Sequence, residues 1–373
     1  MSDKQQLLFV CDWDHDRKKS WSGTHQGIYS ALQRYFEVQD IDIGQYNGSI
    51  YSYISKLRRT TNRLFHKKAD MGCANLAHYR KVIQSEWGGI QTLPSIQFAE
   101  CPTQDNIRSY FYQDMSVSVV KDLHDSNVDI FKYCGFQNQS YKAILKREKI
   151  QSKAYYASAG IFCMGEWFRK FLIDKGIPKE KIYAVGAGIN LDATKINTSK
   201  KAGNKILFVG RDFERKNGPL VVDAFKLAKN KRADIELYIA GPAPREEIEG
   251  VHWLGDVPTD KLSDYFNLCD IFCMPSKFEA YGIVFIEALT YGLPCIGRNA
   301  FEMPYLIEDG KTGYILNEEN ADDLSRLMIK LLDNKEIKEN VNERRQEYLE
   351  KYSWDAVAKR MYNVISKDIA KGN

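Results

Sequence analysis

No run of apolar side chains approaches the ~18 residues that a membrane-spanning helix needs, and the apolar stretch in MSDKQQLLFVCDWD ends in acids too early for a secretory leader. Both absences predict a cytoplasmic protein. The eight cysteines, at 11, 73, 101, 134, 163, 269, 273 and 295, form no Cys-x-x-Cys pair and sit in apolar stretches such as LLFVC and DIFC. Reduced, buried thiols are therefore expected rather than a disulfide framework. Cys269 and Cys273 stand four apart, but they straddle an expected helix-to-strand junction and have no His or Cys nearby in the sequence, so no zinc site is expected. Internal repeats and low-complexity tracts are also missing, which excludes solenoids and scaffold arrays.

What is present is the balance of a soluble globular protein, 44% hydrophobic and 27% charged. At 373 residues the chain exceeds what one core organises, so two domains are expected. The formal charge of +4 arises in the first half, where residues 1–190 carry 26 basic and 19 acidic side chains. Part of it lies in SKLRRTTNRLFHKK (55–68), where Lys56, Arg58, Arg59, Arg63, Lys67 and Lys68 interleave with Leu57, Leu64 and Phe65. A solvated helix face accounts for this segment most simply. Peripheral contact with an anionic membrane bearing a lipid-linked acceptor is the alternative carried forward, and nucleic-acid binding is not.

Short β-branched segments alternate with helical patterns, which predicts the α/β class with parallel sheets. LLFVCDW (7–13) reads as a strand and QGIYSALQRYF (26–36) as an amphipathic helix. The series restarts at KILFVG (205–210), followed by GPLVVDAFKLAKN, IELYIAG, DIFCMPS, the helix IVFIEALTYG closed by Gly292, and the strand LPCIG. The connection falls in the Gly-, Asn- and Lys-rich passage 184–204.

Two stretches carry the chemistry. In PSKFEAYGIVFIEALTYGLP (275–294), Glu279 follows a strand, Gly282 opens a helix and Glu287 lies within it. Gly at such a transition lets backbone N–H groups approach an anion, and the helix N-terminus favours phosphate. In ILFVGRDFERKNGPLVVDAF (206–225), a strand ends at Gly210 and the following loop holds Arg211 and Lys216, two cations at a strand's carboxyl end. Taken singly, each pattern is also what solvated charges produce.

Together, GRDFERKNG and FEAYGIVFIEAL resemble the two signatures of the family 4 glycosyltransferases, and YSWDAVAKRMY (352–362) resembles their final crossover helix. The resemblance implies a GT-B fold, two Rossmann-like doubly wound domains facing across a cleft. These would be an acceptor-binding domain at 1–188, a donor-binding domain at 189–351, and a helix at 352–373 returning to the first. It further implies a retaining, metal-independent hexosyltransferase in surface polysaccharide or glycoconjugate synthesis. The donor would be a nucleoside-diphosphate sugar, UDP being the expected nucleotide, and the acceptor a saccharide, a lipid-linked saccharide or a protein. No cofactor is implied. By the same carry-over Arg211 and Lys216 hold the diphosphate, Glu279 lies by the donor hexose, and Glu287 binds the ribose. Gly210, Tyr281, Gly282, Ile283 and Val284 surround the phosphates and sugar, and Val257 receives the base through its backbone. SWSGTHQGIYSAL (20–32) is similar to the family's glycine loop, placing Gly23 and Thr24 by the phosphates, and Asp114 stands where many relatives have a catalytic His. The chain departs from the pattern at Ala280-Tyr281 and at Tyr305, where a Glu is frequent.

Three other readings compete. Asp12-Trp13-Asp14 matches an Asp-x-Asp metal motif but follows the first strand directly, and no metal is expected there. VGAGIN (185–190) offers Gly186 and Gly188 of a dinucleotide fingerprint, with Leu191 where the third Gly belongs, so an oxidoreductase is weakly indicated. A nucleotide-sugar-binding subunit without activity is the alternative from another class.

Overall fold

The computed structural model describes residues 4–43, 93–99, 108–199 and 203–371, and Lys19 without its side chain. The basic segment 55–68 lies outside the described residues, as do Cys73 and Cys101. The chain divides into two compact units, one formed by Met1–Gly186 with Trp354–Asn373, the other by Ala187–Ser353. The boundaries expected from the sequence were 188/189 and 351/352.

The first unit holds six parallel strands, β1 (Gln6–Cys11), β2 (Glu37–Asp42), β3 (Ser95–Gln97), β4 (Ser109–Gln113), β5 (Gly160–Cys163) and β6 (Ile182–Ala184), in the order β2-β1-β3-β4-β5-β6. Leu7 to Cys11 are all fully buried, as expected of a parallel strand covered on both faces. Helix α1 (Thr24–Leu32) is shorter than its apolar pattern. Arg34 and Tyr35 bond three residues back instead of four, tightening the chain into a turn that delivers it to β2. Helices α2 (Val117–Ser126) and α3 (Tyr141–Ala157) begin at Ser116 and Ser140, whose side chains accept the N–H of Val119 and Ala143. Helix α4 (Glu166–Asp174) links β5 to β6.

The C-terminal helix, Trp354–Lys371, completes this unit with Val357, Ala358, Met361 and Ile365 on one buried stripe. Tyr110 donates to Asp368 at 2.5 Å, and Arg360 donates to the Val185 carbonyl at 2.7 Å. Its first residue seats on α1, where a Cβ added at Gly27 would lie 2.4 Å from Nε1 of Trp354.

The second unit contains β7 (Lys205–Val209), α5 (Gly218–Lys231), β8 (Glu236–Ala240), β9 (Val251–Gly255), α6 (Thr259–Leu268), β10 (Ile271–Cys273), α7 (Ile283–Thr290), β11 (Cys295–Arg298), β12 (Gly313–Leu316) and α8 (Ala321–Asp333). Its sheet, also parallel throughout, runs β12-β11-β10-β7-β8-β9. The chain builds outward from β7 through β8 to β9, then returns to place β10 on the other side of β7. That reversal opens a crevice between the loops after β7 and β10. The described cysteines are all buried thiols, with Cys269 capping α6 and Cys273 inside β10.

We predict that Gly27→Val destabilises the protein by about 1–3 kcal/mol, the usual range for overpacking. The urea midpoint should fall, and Trp354→Ala in the same chain should remove most of the added loss. Additive losses in the double variant would show that the helix start is not seated on Gly27.

Candidate functional site

The loops after β7 and β10 meet at the reversal point of the second unit's sheet. Gly210 follows β7 directly, and a Cβ there would lie 2.7 Å from Cγ of Lys216, so only glycine leaves room for the lysine stem beside the strand end. The loop closes at Asn217, which takes a left-handed conformation (φ 60°), and at Gly218, where a Cβ would run into the Phe213 ring at 2.0 Å. These constraints turn Lys216 back toward the β10 loop.

There its Nζ donates to Oε2 of Glu279 at 2.7 Å, and both side chains are almost wholly buried. Arg215 approaches the same oxygen at 3.4 Å while donating to the Phe278 carbonyl at 2.8 Å, and Ser276 adds a third donor at 3.3 Å. Burial alone would push the Glu279 carboxyl up, but the Lys216 and Arg215 charges outweigh it and leave the group below its ordinary value, ionised. Burial pulls the Lys216 ammonium down, against the attraction of Glu279. Arg215 and Ser276 were not singled out in the sequence. Their signals were modest, a second cation beside Lys216 and a hydroxyl three residues before Glu279.

Arg211 lies apart from this cluster, exposed, with Nε donating to Asp256 at 2.8 Å. Exposed pairs contribute under about 1 kcal/mol and yield readily to a better anion. Beyond Asp256, Val257 lines a groove of ≈ 590 Å³ with Leu254, Pro258, Lys261 and Tyr265.

Gly282 opens α7 in a left-handed conformation (φ 92°), and the N–H groups of Ile283 and Val284 fall in the first turn, where no intrahelical acceptor exists. Tyr281, buried, accepts the N–H of Ala187 at 3.2 Å. One turn into α7, Glu287 is buried and its Oε1 accepts the N–H of Asn190 at 2.9 Å. Burial pushes its carboxyl up to about 7, against the lowering effect of the Asn190 and Leu191 N–H groups and of Lys216. The stretch that follows β6 therefore bonds to both Tyr281 and Glu287, a partnership that spacing did not reveal. No helix follows β6 directly, so Gly186 and Gly188 lack the strand-turn-helix context of a dinucleotide fingerprint.

In the first unit, Trp21, Ser22 and Gly23 take left-handed backbone in succession (φ 45°, 56° and 92°) before α1, which opens at the buried Thr24. Two non-glycine residues in that region cost roughly 1–2 kcal/mol each. Beside them His25 packs against Phe98 and Trp21, ring centroids 4.3 and 5.5 Å away, and burial lowers its pKa to about 4, with Asp14 opposing. Asp114 follows β4 on the wall of a ≈ 420 Å³ cavity with Asp12, Trp21, His25 and Arg147. Aromatic faces beside carboxylates suit a hydroxylated ring, which stacks on the former and donates to the latter. Gly23, Thr24 and Asp114 thus belong to one unit, and the other ten expected site residues to the other. Among the described residues no three His, Cys, Asp or Glu side chains group in a metal-holding arrangement, and no helix is long and apolar enough to cross a membrane.

Comparison with known proteins bears on both units. Residues 192–348 match the family model described as Glycosyl transferases group 1. An uncharacterized 41.2 kDa protein in the cps region of Klebsiella pneumoniae is 33% identical over 176 residues, 43% of this chain and 48% of that protein. The chain spans about half the length of the curated relatives it matches. The crystal structure of WaaG, a glycosyltransferase involved in lipopolysaccharide biosynthesis, superposes with a TM-score of 0.63 at 16% identity, covering 96% of this chain and 99% of that one. Anabaena Alr3699/HepE, solved with UDP and glucose, gives 0.63 at 12% identity over 97% and 99%. These neighbours share the fold, which is GT-B.

Two predictions follow from the charges. Lys216→Met should cost about 3–5 kcal/mol, because it strands a buried carboxylate, and adding Glu279→Gln should recover part of that loss in urea denaturation. Glu287 binds its proton more tightly folded than unfolded, so it contributes a loss of stability as pH rises from about 4.5 to about 7. The loss is at most roughly 3 kcal/mol. His25 contributes with the opposite sign, so the readout is a difference: Glu287→Gln should gain on the parent between pH 5 and pH 8. A constant difference would show that the carboxyl titrates at its ordinary value.

Proposed function

We propose that the chain, whose residues 192–348 match the group 1 glycosyl transferase family model, is a retaining transferase of family 4. It would move a hexose from a nucleoside-diphosphate sugar to a hydroxyl of a saccharide, lipid-linked or protein acceptor. The observation that carries this reading is the grouping of Lys216, Glu279 and the first turn of α7 at the point where the sheet order reverses. A leaving diphosphate needs positive charge and N–H donors, and in this reading they are Lys216, Arg211 once it exchanges Asp256 for the diphosphate, and the amides of Ile283 and Val284. Losing one such preorganised donor costs on the order of 100-fold in rate.

In this scheme Glu279 keeps Lys216 aimed and lies beside the hexose, Glu287 receives ribose hydroxyls, and the base sits by the Val257 backbone. Within the first unit, the aromatic and acidic cavity with Asp114 on its wall suits the acceptor. Charge neutralisation by side chains and amides makes the reaction independent of metal, and the acceptor hydroxyl passes its proton to the departing phosphate oxygen. UDP is the first nucleotide to test, and a cytoplasmic setting with membrane contact through 55–68 completes the proposal.

A thermal-shift series with UDP, GDP, ADP and NAD, followed by transfer assays with and without EDTA, tests the reading. Ligand at ~100 times its Kd adds about 2.7 kcal/mol of stability. One nucleoside diphosphate should stabilise the parent, and Arg211→Ala, an exposed change that leaves the fold intact, should shrink the response. A response to NAD alone would overturn the proposal. Binding without transfer to any acceptor or water would point to a binding subunit, and loss of activity in EDTA would overturn metal independence.

A further inference from the structure

His25 is the second residue of α1 and follows directly on the left-handed turn at Trp21, Ser22 and Gly23. It is only 8% exposed, and the rings of Phe98, Trp21 and Trp13 enclose it with centroids at 4.3, 5.5 and 5.9 Å. Its Nδ1 is buried with no hydrogen-bond partner. Buried polar groups in native proteins are nearly always paired, and each exception calls for a reason. Packing supplies none, because a phenylalanine would fill an aromatic cage without stranding a nitrogen. Burial holds the ring neutral, so it carries one N–H and one lone pair. Buried N–H groups without an acceptor are rarer than buried acceptors without a donor, which leaves the bare lone pair on Nδ1 and the proton on Nε2. His25 forms part of the wall of the ≈ 420 Å³ cavity. With Nδ1 shut in, Nε2 is the nitrogen that a molecule in the cavity can reach.

The same wall holds Asp12 and Asp114, and an N–H set among carboxyl groups selects what lies between them. A hydroxyl accepts from the first and donates to the second. A phosphate ester oxygen has no proton to give, and an ammonium has no lone pair with which to accept. Each carboxylate has about four lone-pair positions, so bonds made within the protein leave it able to take another. Arg147 is on the wall too, but one arginine against two acids gives no positive excess for an anion. Trp21 and Tyr112 supply flat apolar surface for the face of a ring. We infer that this cavity receives an uncharged sugar residue of the acceptor, with His25 donating Nε2–H to one of its hydroxyl oxygens. The inference rests on the transferase reading and narrows it, since the saccharide end that enters the first unit is then neutral rather than phosphate- or carboxylate-bearing.

The test is titration of the full chain with the methyl glycosides of glucose, galactose, mannose and N-acetylglucosamine, followed by tryptophan fluorescence, with glucuronate and glycerol phosphate as anionic probes. The parent should respond to at least one glycoside and more weakly to both anions. His25→Phe keeps a ring in the cage and removes both nitrogens, so its urea midpoint should hold or rise while glycoside affinity falls roughly ten-fold. His25→Gln, whose amide N–H can take the place of Nε2–H, should regain most of that affinity. A packing role alone would not separate stability from affinity in this way. If the phenylalanine ring overpacks the cage and lowers the midpoint, His25→Leu removes the nitrogens without it and is read in the same manner. The nucleotide-induced thermal shift, a property of the second unit, should be unchanged in every variant. Its absence from the parent overturns the transferase reading and with it the acceptor role. A normal shift with no response to any glycoside overturns this inference alone. So do equal affinities in the parent and the variants without nitrogens, a His25→Gln no better than His25→Phe, or tighter binding of the anionic probes.

Discussion

The buried ion pair between Lys216 and Glu279 is the constraint around which the second unit's site is arranged. Two charges this deep are unfavourable on their own, and desolvation of each ion costs several kcal/mol even after relaxation. The pair persists because its geometry is good, at 2.7 Å, and because Arg215 and Ser276 supply further donors to the same carboxylate oxygen. Everything needed to bring the partners together is a backbone matter. Gly210 clears the lysine's path along the strand end, and Gly241 (φ 126°) lets β8's end lie where a Cβ would be 2.5 Å from the Gly210 carbonyl. A cation so costly to bury is hard to justify by stability, since apolar residues of similar volume commonly serve as well or better. It is readily understood if a third charge is meant to join the pair.

The two carboxylates eight residues apart, Glu279 and Glu287, show how environment separates identical side chains. Glu279 has two cations beside it and stays ionised. Glu287, equally buried, has mainly backbone N–H groups for company, and its carboxyl is pushed up to about 7. The first is therefore an acceptor and a charge, the second close to the borderline between acid and base forms at neutral pH. A neutral or half-protonated carboxyl can both give and take a hydrogen bond, which matches vicinal hydroxyls better than a phosphate. The division of labour proposed for donor binding follows from that difference.

Much of the fold was legible because parallel strands buried on both faces read as short apolar runs and helices as 3.6-residue stripes. The strands at 205, 236, 271 and 295 stand in the runs expected of them, and Gly292 (φ 81°) does close its helix. Strand order was not legible. Nothing local in IFC says that β10 pairs with β7 rather than with β9, yet this pairing creates the crevice that the loops share. Site partners were legible where each member stood in one of the two signatures, as with Lys216 and Glu279, although neither signature says that they touch. They were hidden where one member is backbone from elsewhere. The bonds from Ala187 and Asn190 to Tyr281 and Glu287 span more than ninety residues and involve N–H groups that every residue but proline carries.

The first unit was harder to read for a different reason. Its candidate site depends less on paired charges than on strain and aromatic packing, neither of which leaves a spacing rule. Tryptophan and serine in left-handed backbone before α1 have no sequence signature, because the usual marker of that conformation is glycine and only Gly23 provides it. His25, held neutral by burial among Trp21 and Phe98, looks in sequence like an ordinary helix residue. Strain of this kind persists only where surrounding packing over-determines it, and here the packing is the aromatic wall of the cavity that also holds Asp114. The cost of holding Trp21 left-handed is thus tied to placing its ring on that wall. A residue type that binds sugars by its face, kept there against its backbone preference, argues that the cavity's shape matters more to this unit than its stability does.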